Sequence, residues 1–175
     1  MRQRQRAGYR RGVTIELLRV TADDWEAWRT VRLRALADAP DAFGSTLADW
    51  AEAPEHRWRT RLSLPGALDL VVRQGDRSVA LASGVPDPDD PGRAELISMW
   101  VDPAVRGQGV ARLLIDAIAH WAAATGATTL ELSVMPDNVG ARRTYERTGF
   151  VAVEQPGDLL PDGRTEVVMR RTVGT

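Results

Sequence analysis

The chain has 175 residues, of which 43% are hydrophobic, 27% charged and 6% aromatic. That length suits a single domain, which can bury a substantial core without disulfides or a structural metal. The sequence contains neither cysteine nor lysine, which excludes a thiolate nucleophile, a Schiff-base lysine and a P-loop lysine. Only His56 and His120 carry imidazole, and their separation disfavours a histidine-based metal site.

The N-terminal segment is strongly basic. Residues 1–12 contain five arginines and no acid, while the remainder has 18 arginines and 24 acids, a net charge of −6. Such segments are typical of nucleic-acid arms or transit peptides. This one is short, lacks an apolar stretch and precedes an acidic body that repels nucleic acid. We expect residues 1–12 to form a solvated, disordered extension, with no nucleic-acid partner.

Apolar runs in the sequence are short. None approaches the ~20 residues that a membrane span needs, and we find no signal-peptide core. The sequence therefore predicts a cytoplasmic protein without a membrane partner.

Two periodicities predict the elements, alternation for strands and a period near 3.6 for helices, with Pro and Gly at their ends. In chain order they are a strand over 13–20, helices over 21–39 and 47–62, strands over 68–73, 78–85 and 95–101, a helix over 110–125, a strand over 128–135, a helix over 138–148 and strands over 150–153 and 165–171. This order, without a repeat or a linker, predicts one α/β domain with a mixed sheet.

A glycine turn, Arg106-Gly-Gln-Gly-Val-Ala111, joins a predicted strand to a predicted helix. Its glycines let the backbone approach a ligand, and the first amides of the helix have no intrahelical acceptor. With the helix dipole they can bind a phosphate or pyrophosphate, and Arg106 and Arg112 add charge. A dinucleotide fingerprint would need glycine in place of Arg112, and Walker A would need a lysine. A turn with a purely geometric role is the alternative.

A second segment, Asn138–Phe150, follows the next predicted strand. Asn138, Ala141 and Tyr145 share one helix face. The small Ala141 permits close approach to that face, and Tyr145 offers a hydroxyl one turn further on. The alternative is amphipathic packing, with Tyr145 as an interface aromatic and Gly149 as a helix cap.

Together, the two segments resemble the acetyl-CoA site of the GNAT N-acetyltransferase superfamily. The turn matches that family's R/Q-x-x-G-x-G/A pattern at Arg106, Gly109 and Ala111. The second segment matches N-x-x-A-x-x-x-Y-x-x-x-G-F at Asn138, Ala141, Tyr145, Gly149 and Phe150. The resemblance implies an α+β N-acetyltransferase domain over residues 13–172, with a mixed, mostly antiparallel sheet of about six to seven strands and about four helices.

The resemblance implies acetyl-CoA as co-substrate and no metal. In this family acetyl-CoA lies between two splayed neighbouring strands, here 95–101 and 128–135. Its pyrophosphate then lies on the amides of Gly107–Ala111, and its pantetheine arm pairs with backbone near Met99 and Val101. The implied cofactor-binding residues are Met99, Trp100, Val101, Arg106, Gly107, Gln108, Gly109, Val110, Ala111, Arg112, Asn138, Ala141 and Tyr145.

The implied reaction is attack of an amine on the thioester. An alkyl amine has a pKa of ~10, so a base or a water path must take its proton at neutral pH. Glu95 is the candidate base, because it precedes Val101 by the offset found in the family's histone acetyltransferases. Asp102 and Ser98 are weaker candidates, and a solvated or salt-bridged Glu95 is the alternative.

The resemblance implies that Tyr145 donates a proton to the departing CoA thiolate. A backbone N–H between Met99 and Val101 is the expected donor to the oxyanion. Because the chain has no cysteine, direct transfer in a ternary complex is favoured over an acetyl-cysteine intermediate.

In this fold the acceptor enters over the two N-terminal helices. Phe43, Ser45 and Trp100 are therefore the candidate acceptor-binding residues, and Trp50 and Trp58 either join them or belong to the core. The leading hypothesis is N-acetylation of a primary amine of a small molecule. The alternatives are a protein N-terminal or lysine acetyltransferase and a non-catalytic acetyl-CoA sensor. Dimers are common in this family, so a homodimer stays open, although no segment identifies an interface.

Overall fold

The structure, a computed structural model, describes residues 4–10, 13–160 and 162–174. One mixed sheet has the order β1-β2-β3-β4-β5-β6-β8-β7. Its strands are β1 (Arg4–Arg10), β2 (Val13–Val20), β3 (Leu68–Gln74), β4 (Arg77–Pro86), β5 (Arg93–Val101), β6 (Thr129–Val134), β7 (Val151–Leu159) and β8 (Thr165–Thr172). Neighbouring strands are antiparallel except β5 and β6, which are parallel. The predicted fold class is confirmed.

Helices cover both faces of the sheet. They are α1 (Trp25–Asp38), α2 (Leu47–Ala51), α3 (Glu55–Arg61), α4 (Val110–Ala124) and α5 (Val139–Arg147). The first three pack over one apolar cluster, whereas α4 and α5 pack over another on the opposite face. Helix α4 buries Val110, Leu114, Ile115 and Ile118, which is the spacing of one helix face. None of the described helices is long and apolar enough to cross a membrane.

The central strands are buried on both faces, since helices lie above and below them. Strand β4 is buried at six consecutive residues, from Val79 to Gly84. A Cβ placed on Gly84 would lie 2.4 Å from the ring of Trp121 on α4. Glycine is therefore required there, because α4 approaches the sheet closely.

The N-terminal segment departs from its prediction. Arg4–Arg10 forms β1, paired with β2, where we expected a disordered extension. The outer edge of β2 presents backbone N–H and C=O groups. An extended segment can pair with these groups regardless of its own side chains. The remaining residues of that extension, 1–3 and 11–12, lie outside the described residues.

The helix predicted over 47–62 is two helices, α2 and α3. Pro54 lies between them as the N-cap of α3. Proline has no N–H and disfavours helical geometry for the residue before it, so one continuous helix cannot form. The described residues therefore hold eight strands and five α-helices.

A buried ionic group fixes α3 to the sheet. Asp69 of β3 is 3% exposed and pairs with Arg61 at 3.2 Å. The Ser83 hydroxyl of β4 donates to the Asp69 carboxylate at 2.5 Å and accepts from the Arg61 guanidinium at 2.9 Å. Each polar group thus has a partner, which is the condition under which a buried charge is tolerated.

Arg61→Met should lower the free energy of unfolding by about 3–5 kcal/mol, because it leaves Asp69 buried without its cation. Urea denaturation measures the change. The control is Arg73→Met, which removes an arginine paired at 3.6 Å with the fully exposed Asp76 and should have much less effect. Equal losses in the two variants would contradict the structural role of Arg61.

Candidate active site

The sheet is split between its two parallel strands. Strands β5 and β6 pair only at Arg93–Glu95 with Thr129–Glu131. Beyond that point β5 stays paired with β4 as far as Val101, and β6 stays paired with β8 as far as Val134. The facing edges of β5 and β6 therefore present backbone N–H and C=O groups without strand partners along the split.

A β-bulge lies in β5 beside the split. Leu81 pairs with Trp100 and Ser83 with Ile97, so Ala82 alone opposes both Ser98 and Met99. Ser98 adopts a left-handed conformation with φ of 57°, the one non-glycine residue to do so in the described part of the chain. An extra residue bends a strand, and this bulge lies in the stretch over which β5 and β6 are unpaired.

The glycine turn borders a cavity of about 660 Å³ at one end of the split. Gly107 and Gly109 have φ of 76° and 85°, a backbone region that glycine adopts without strain. A Cβ on either residue would meet no atom within 4 Å. The space in front of the turn is therefore open to a ligand.

The N-terminus of α4 points its amides into this cavity. The N–H of Leu113 donates to the carbonyl of Gly109 at 3.0 Å, so the amides of Val110–Arg112 precede the intrahelical ladder. These residues line the same cavity. Free amides at the positive end of a 15-residue helix form a site for a phosphate group.

Arg106 braces the turn. Its guanidinium donates to Asp38 at 2.8 Å and to the carbonyl of Val101 at 2.9 Å. Asp38 also accepts from the indole of Trp100 at 2.9 Å. Arg106 thus joins the turn to the end of α1, whereas Arg112 is exposed and pairs with Asp116 at 3.3 Å.

Helix α5 forms the opposite wall of the cavity. The Asn138 side chain accepts from the N–H of Ala141 at 3.1 Å and caps the helix. The ring of Tyr145 meets Phe150 edge-on, with centroids 5.8 Å apart. Burial raises the pKa of Tyr145 to about 12, so its hydroxyl keeps its proton at neutral pH.

A second cavity of about 480 Å³ lies in the split itself, between residues 95–99 of β5 and residues 131–134 of β6. Four of its lining residues are acidic: Glu95, Glu131, Asp158 and Glu166. Burial raises the pKa of Glu95, and the negative charges of Asp87 and Glu131 raise it further. A carboxylate with a raised pKa is a stronger base than an exposed one.

The two cavities meet. Six residues line both of them: Ala42, Phe43, Met99, Asn138, Ala141 and Tyr145. Tyr145 therefore faces the meeting point of the cavities, while Glu95 lines the second cavity alone. We call this meeting point the junction.

The structure brings most of the expected residues together. Every residue expected to bind the cofactor lines the first cavity except Gln108, whose side chain donates to the carbonyl of Ala104 at 3.3 Å. Phe43 and Ser45 line the second cavity, and Trp100 lines only the first. Trp58 is fully buried against Trp50, with ring centroids 4.6 Å apart, and neither borders these cavities.

Asp102, a weaker candidate base, serves the fold instead. Its buried carboxylate pairs with Arg34 and Arg77 and accepts from the N–H of Ala104. Burial raises its pKa, but that N–H and the two guanidinium groups outweigh burial and hold the pKa below its usual value. Ser98, the other weaker candidate, lines the second cavity at the bulge.

Sequence reasoning missed part of both cavities. Asp38, Thr144, Arg147 and Thr148 also line the first cavity. Thr144 and Thr148 follow Ala141 at spacings of three and seven residues, so the helical face that carries Ala141 could have indicated them. Arg32 and residues 156–158 of β7 line the second cavity, and no local pattern marks them.

Within the described residues, no group of three or more His, Asp or Glu side chains is placed to hold a metal ion. The expectation that no metal takes part stays a prediction.

A mixed sheet split between parallel strands, with a glycine turn and a free helix N-terminus beside the split, defines an acyltransferase of the GNAT class. Residues 22–150 match the profile of the acetyltransferase (GNAT) family. The chain belongs to this family, so the resemblance drawn from the two motifs is confirmed, as is the expected enzyme class.

Two relatives are mycothiol acetyltransferases. That of Rhodococcus erythropolis is 33% identical over 144 residues, covering 79% of this chain and 46% of the relative. That of Beutenbergia cavernae is 31% identical over 133 residues, covering 76% of this chain and 43% of the relative. The chain thus spans less than half the length of these relatives.

Solved structures share the fold. A GNAT-family acetyltransferase from Streptococcus pneumoniae superposes with a TM-score of 0.77 at 16% identity, covering 91% of this chain and 99% of that one. The ribosomal-protein-S18-alanine N-acetyltransferase from Escherichia coli has a TM-score of 0.67 at 21% identity, covering 92% and 95%. At these identities the likeness is one of fold.

Gly109→Asp should weaken the binding of CoA about tenfold or more, because it adds a carboxylate where the helix N-terminus attracts phosphate. Calorimetric titration measures the affinity. Gly109→Asn adds a neutral side chain of similar size and should retain more affinity than Gly109→Asp.

Gly75→Asp controls for backbone strain, since Gly75 also has a positive φ and open surroundings but lies in the β3–β4 turn. Its affinity for CoA should match that of the unmodified chain. If Gly109→Asp binds CoA as tightly as the unmodified chain, the phosphate does not bind at the N-terminus of α4.

Proposed function

We propose that this protein transfers the acetyl group of acetyl-CoA to a primary amine of a small molecule, by direct attack in a ternary complex. The observation that carries the proposal is the junction, where a cavity bordered by a free helix N-terminus meets a cavity bordered by Glu95. A carrier held in the first cavity can present its acyl group to an amine held in the second.

Acetyl-CoA occupies the first cavity, with its acyl group at the junction. Its pyrophosphate binds the amides of Gly107–Ala111, where the N-terminus of α4 offers donors and positive potential. Its pantetheine pairs with the free edge of β5 near Met99 and Val101, as an added strand would. The open edge of β5 and the absence of a Cβ at Gly107 and Gly109 support this placement.

The amine must lose a proton before it attacks. In the second cavity Glu95 accepts that proton, directly or through water, and its raised pKa suits it to the task. The nitrogen then attacks the thioester carbon and a tetrahedral intermediate forms. A free backbone N–H between Met99 and Val101, on the edge of β5 that faces the split, stabilises its oxyanion.

Collapse of the intermediate breaks the carbon–sulfur bond. Tyr145 at the junction donates a proton to the thiolate, and its phenolate then takes the second proton of the nitrogen, which leaves a neutral amide. Glu95 releases the first proton to water. Since burial holds the pKa of Tyr145 at about 12, the hydroxyl is protonated throughout the neutral range. The products are an N-acetylated amine and free CoA.

The size of the second cavity supports a small acceptor. Its volume of about 480 Å³ lies within the range of about 300–1,000 Å³ that is usual for small-ligand sites. Relatives named mycothiol acetyltransferase also favour a small molecule over a protein acceptor. A cytoplasmic location and a homodimer stay predictions from the sequence.

The test is release of free thiol from acetyl-CoA by the full chain, across amines, amino acids and N-terminal peptides. The proposal expects a small amine to accelerate release. Activity with peptides alone would favour the protein acetyltransferase. Binding of acetyl-CoA without acceleration by any acceptor would favour the sensor.

Tyr145→Phe should lower kcat by about 10²–10³-fold, the usual contribution of a positioned proton donor. Its KM for acetyl-CoA and its thermal midpoint should stay unchanged, since phenylalanine preserves the ring packing against Phe150. Steady-state kinetics at saturating acceptor provide the measurement. If Tyr145→Phe keeps the kcat of the unmodified chain, Tyr145 is not the proton donor.

Glu95→Gln should abolish the acidic limb of the kcat–pH profile. Protonated Glu95 cannot accept a proton, so kcat rises as pH increases through its pKa, which lies above the ordinary 4.5. Glutamine does not titrate, and general-base loss should lower the plateau by about 10²-fold or more.

Glu166→Gln is the matched comparison, because Glu166 lines the same cavity and burial raises its pKa too. This variant should keep the limb. If the acidic limb of the kcat–pH profile survives in Glu95→Gln and disappears in Glu166→Gln, Glu166 is the general base and Glu95 is not.

A further inference from the structure

Arg32 is buried in α1 without a counter-ion. The residue is 8% exposed, and its Nη1 has no hydrogen-bond partner. No carboxylate among the described residues forms an ion pair with it. The guanidinium carbon lies 4.3 Å from the ring centroid of Phe43, so one face of the cation is covered by an aromatic ring.

Other arginines of the same layer are satisfied. Arg61 pairs with Asp69, Arg34 pairs with Asp102, and Arg29 donates to the carbonyl of Ala51 at 3.1 Å. Arg32 instead experiences repulsion from Arg61, which together with the larger effect of burial lowers its pKa to about 10. It is therefore still a cation at neutral pH.

A buried cation without a carboxylate destabilises a fold. Its contact with Phe43 offsets only part of that cost. Unsatisfied buried groups that persist in native proteins need an explanation, and functional sites are where they cluster. Here the explanation lies in the position of Arg32.

Arg32 lines the second cavity beside Phe43 and Ser45. Of the described residues that line it, Arg32 alone is basic, while Glu95 and three other acids lie along its remaining wall. The cavity therefore offers a negative region to a cation and a single positive group to an anion. A zwitterion matches both.

We propose that the acceptor is an amino-carboxylate, whose carboxylate binds Arg32 while its amine faces Glu95. This inference rests on the proposed function and specifies its acceptor. Because Phe43 covers a face of the guanidinium, the carboxylate binds in its plane, where paired N–H groups match two carboxylate oxygens. The carboxylate supplies the counter-ion that the fold omits.

The experiment compares acceptors that differ only in the carboxylate. The standard L-amino acids, their carboxamides and their decarboxylated amines are assayed with the full chain by thiol release from saturating acetyl-CoA. In the series with the highest activity, the kcat/KM of the amino acid should exceed that of its carboxamide about 10- to 100-fold, which is the range expected for a charged hydrogen bond. If the acceptors with the highest kcat/KM carry no anionic group, the proposal is overturned.

Arg32→Met isolates the residue. It should raise the KM for the amino acid about 10- to 100-fold, remove the preference over the carboxamide and leave the KM for acetyl-CoA unchanged. Arg32→Lys should restore part of the preference. Arg29→Met, on the same helix but outside both cavities, should behave as the unmodified chain.

Stability separates this role from a structural one. Arg32→Met should unfold at the same temperature as the unmodified chain or higher, since it removes an unpaired buried charge. A markedly lower midpoint would make Arg32 a structural residue and overturn the proposal.

Failure of the proposed function is recognised independently. If acetyl-CoA binds but no acceptor accelerates thiol release, the amino acids are titrated calorimetrically into the complex with CoA. Binding that Arg32→Met abolishes would support the anion site without catalysis. Absence of binding by every amino acid would overturn it.

Discussion

The early separation of two parallel strands is the constraint on which this site depends. A parallel pair normally satisfies the facing N–H and C=O groups of both strands, yet β5 and β6 pair over three residues and then diverge. Backbone groups without partners are costly inside a protein, so the free edges must face water or a ligand. The bulge at Ser98 shifts the register between β5 and β4, and the two strands are paired on both sides of it.

The split also explains why the groups proposed to act in catalysis come from distant parts of the chain. Glu95 lies at the last residue pair before β5 and β6 separate, and the turn before α4 follows the end of β5. Tyr145 lies on the helix that follows β6. Two consecutive strand–helix units thus converge on one gap, and Phe43, in the segment between α1 and α2, lines the cavity in that gap.

Local signals predicted the parts of the fold and site that local geometry controls. The glycines at 107 and 109 were recognisable because a left-handed turn before a helix needs them, and Asn138 because capping acts over three residues. The bulge at Ser98 was not predictable, since serine has no special preference for its conformation and the pairing with β4 imposes it. Arg32 was also missed, because an arginine on a helix is ordinarily solvated and only the tertiary packing shows that it is buried.

The identity of the cation at position 32 has its own physical reason. A buried lysine loses its charge readily, because desolvation can lower its pKa by several units from about 10.4. A guanidinium begins from a higher pKa, and in this site the value falls only to about 10. Arginine therefore keeps a positive charge in the same low-dielectric cavity in which burial raises the pKa of Glu95. One desolvated environment can thus hold a fixed cation for binding and a titratable carboxylate for proton transfer.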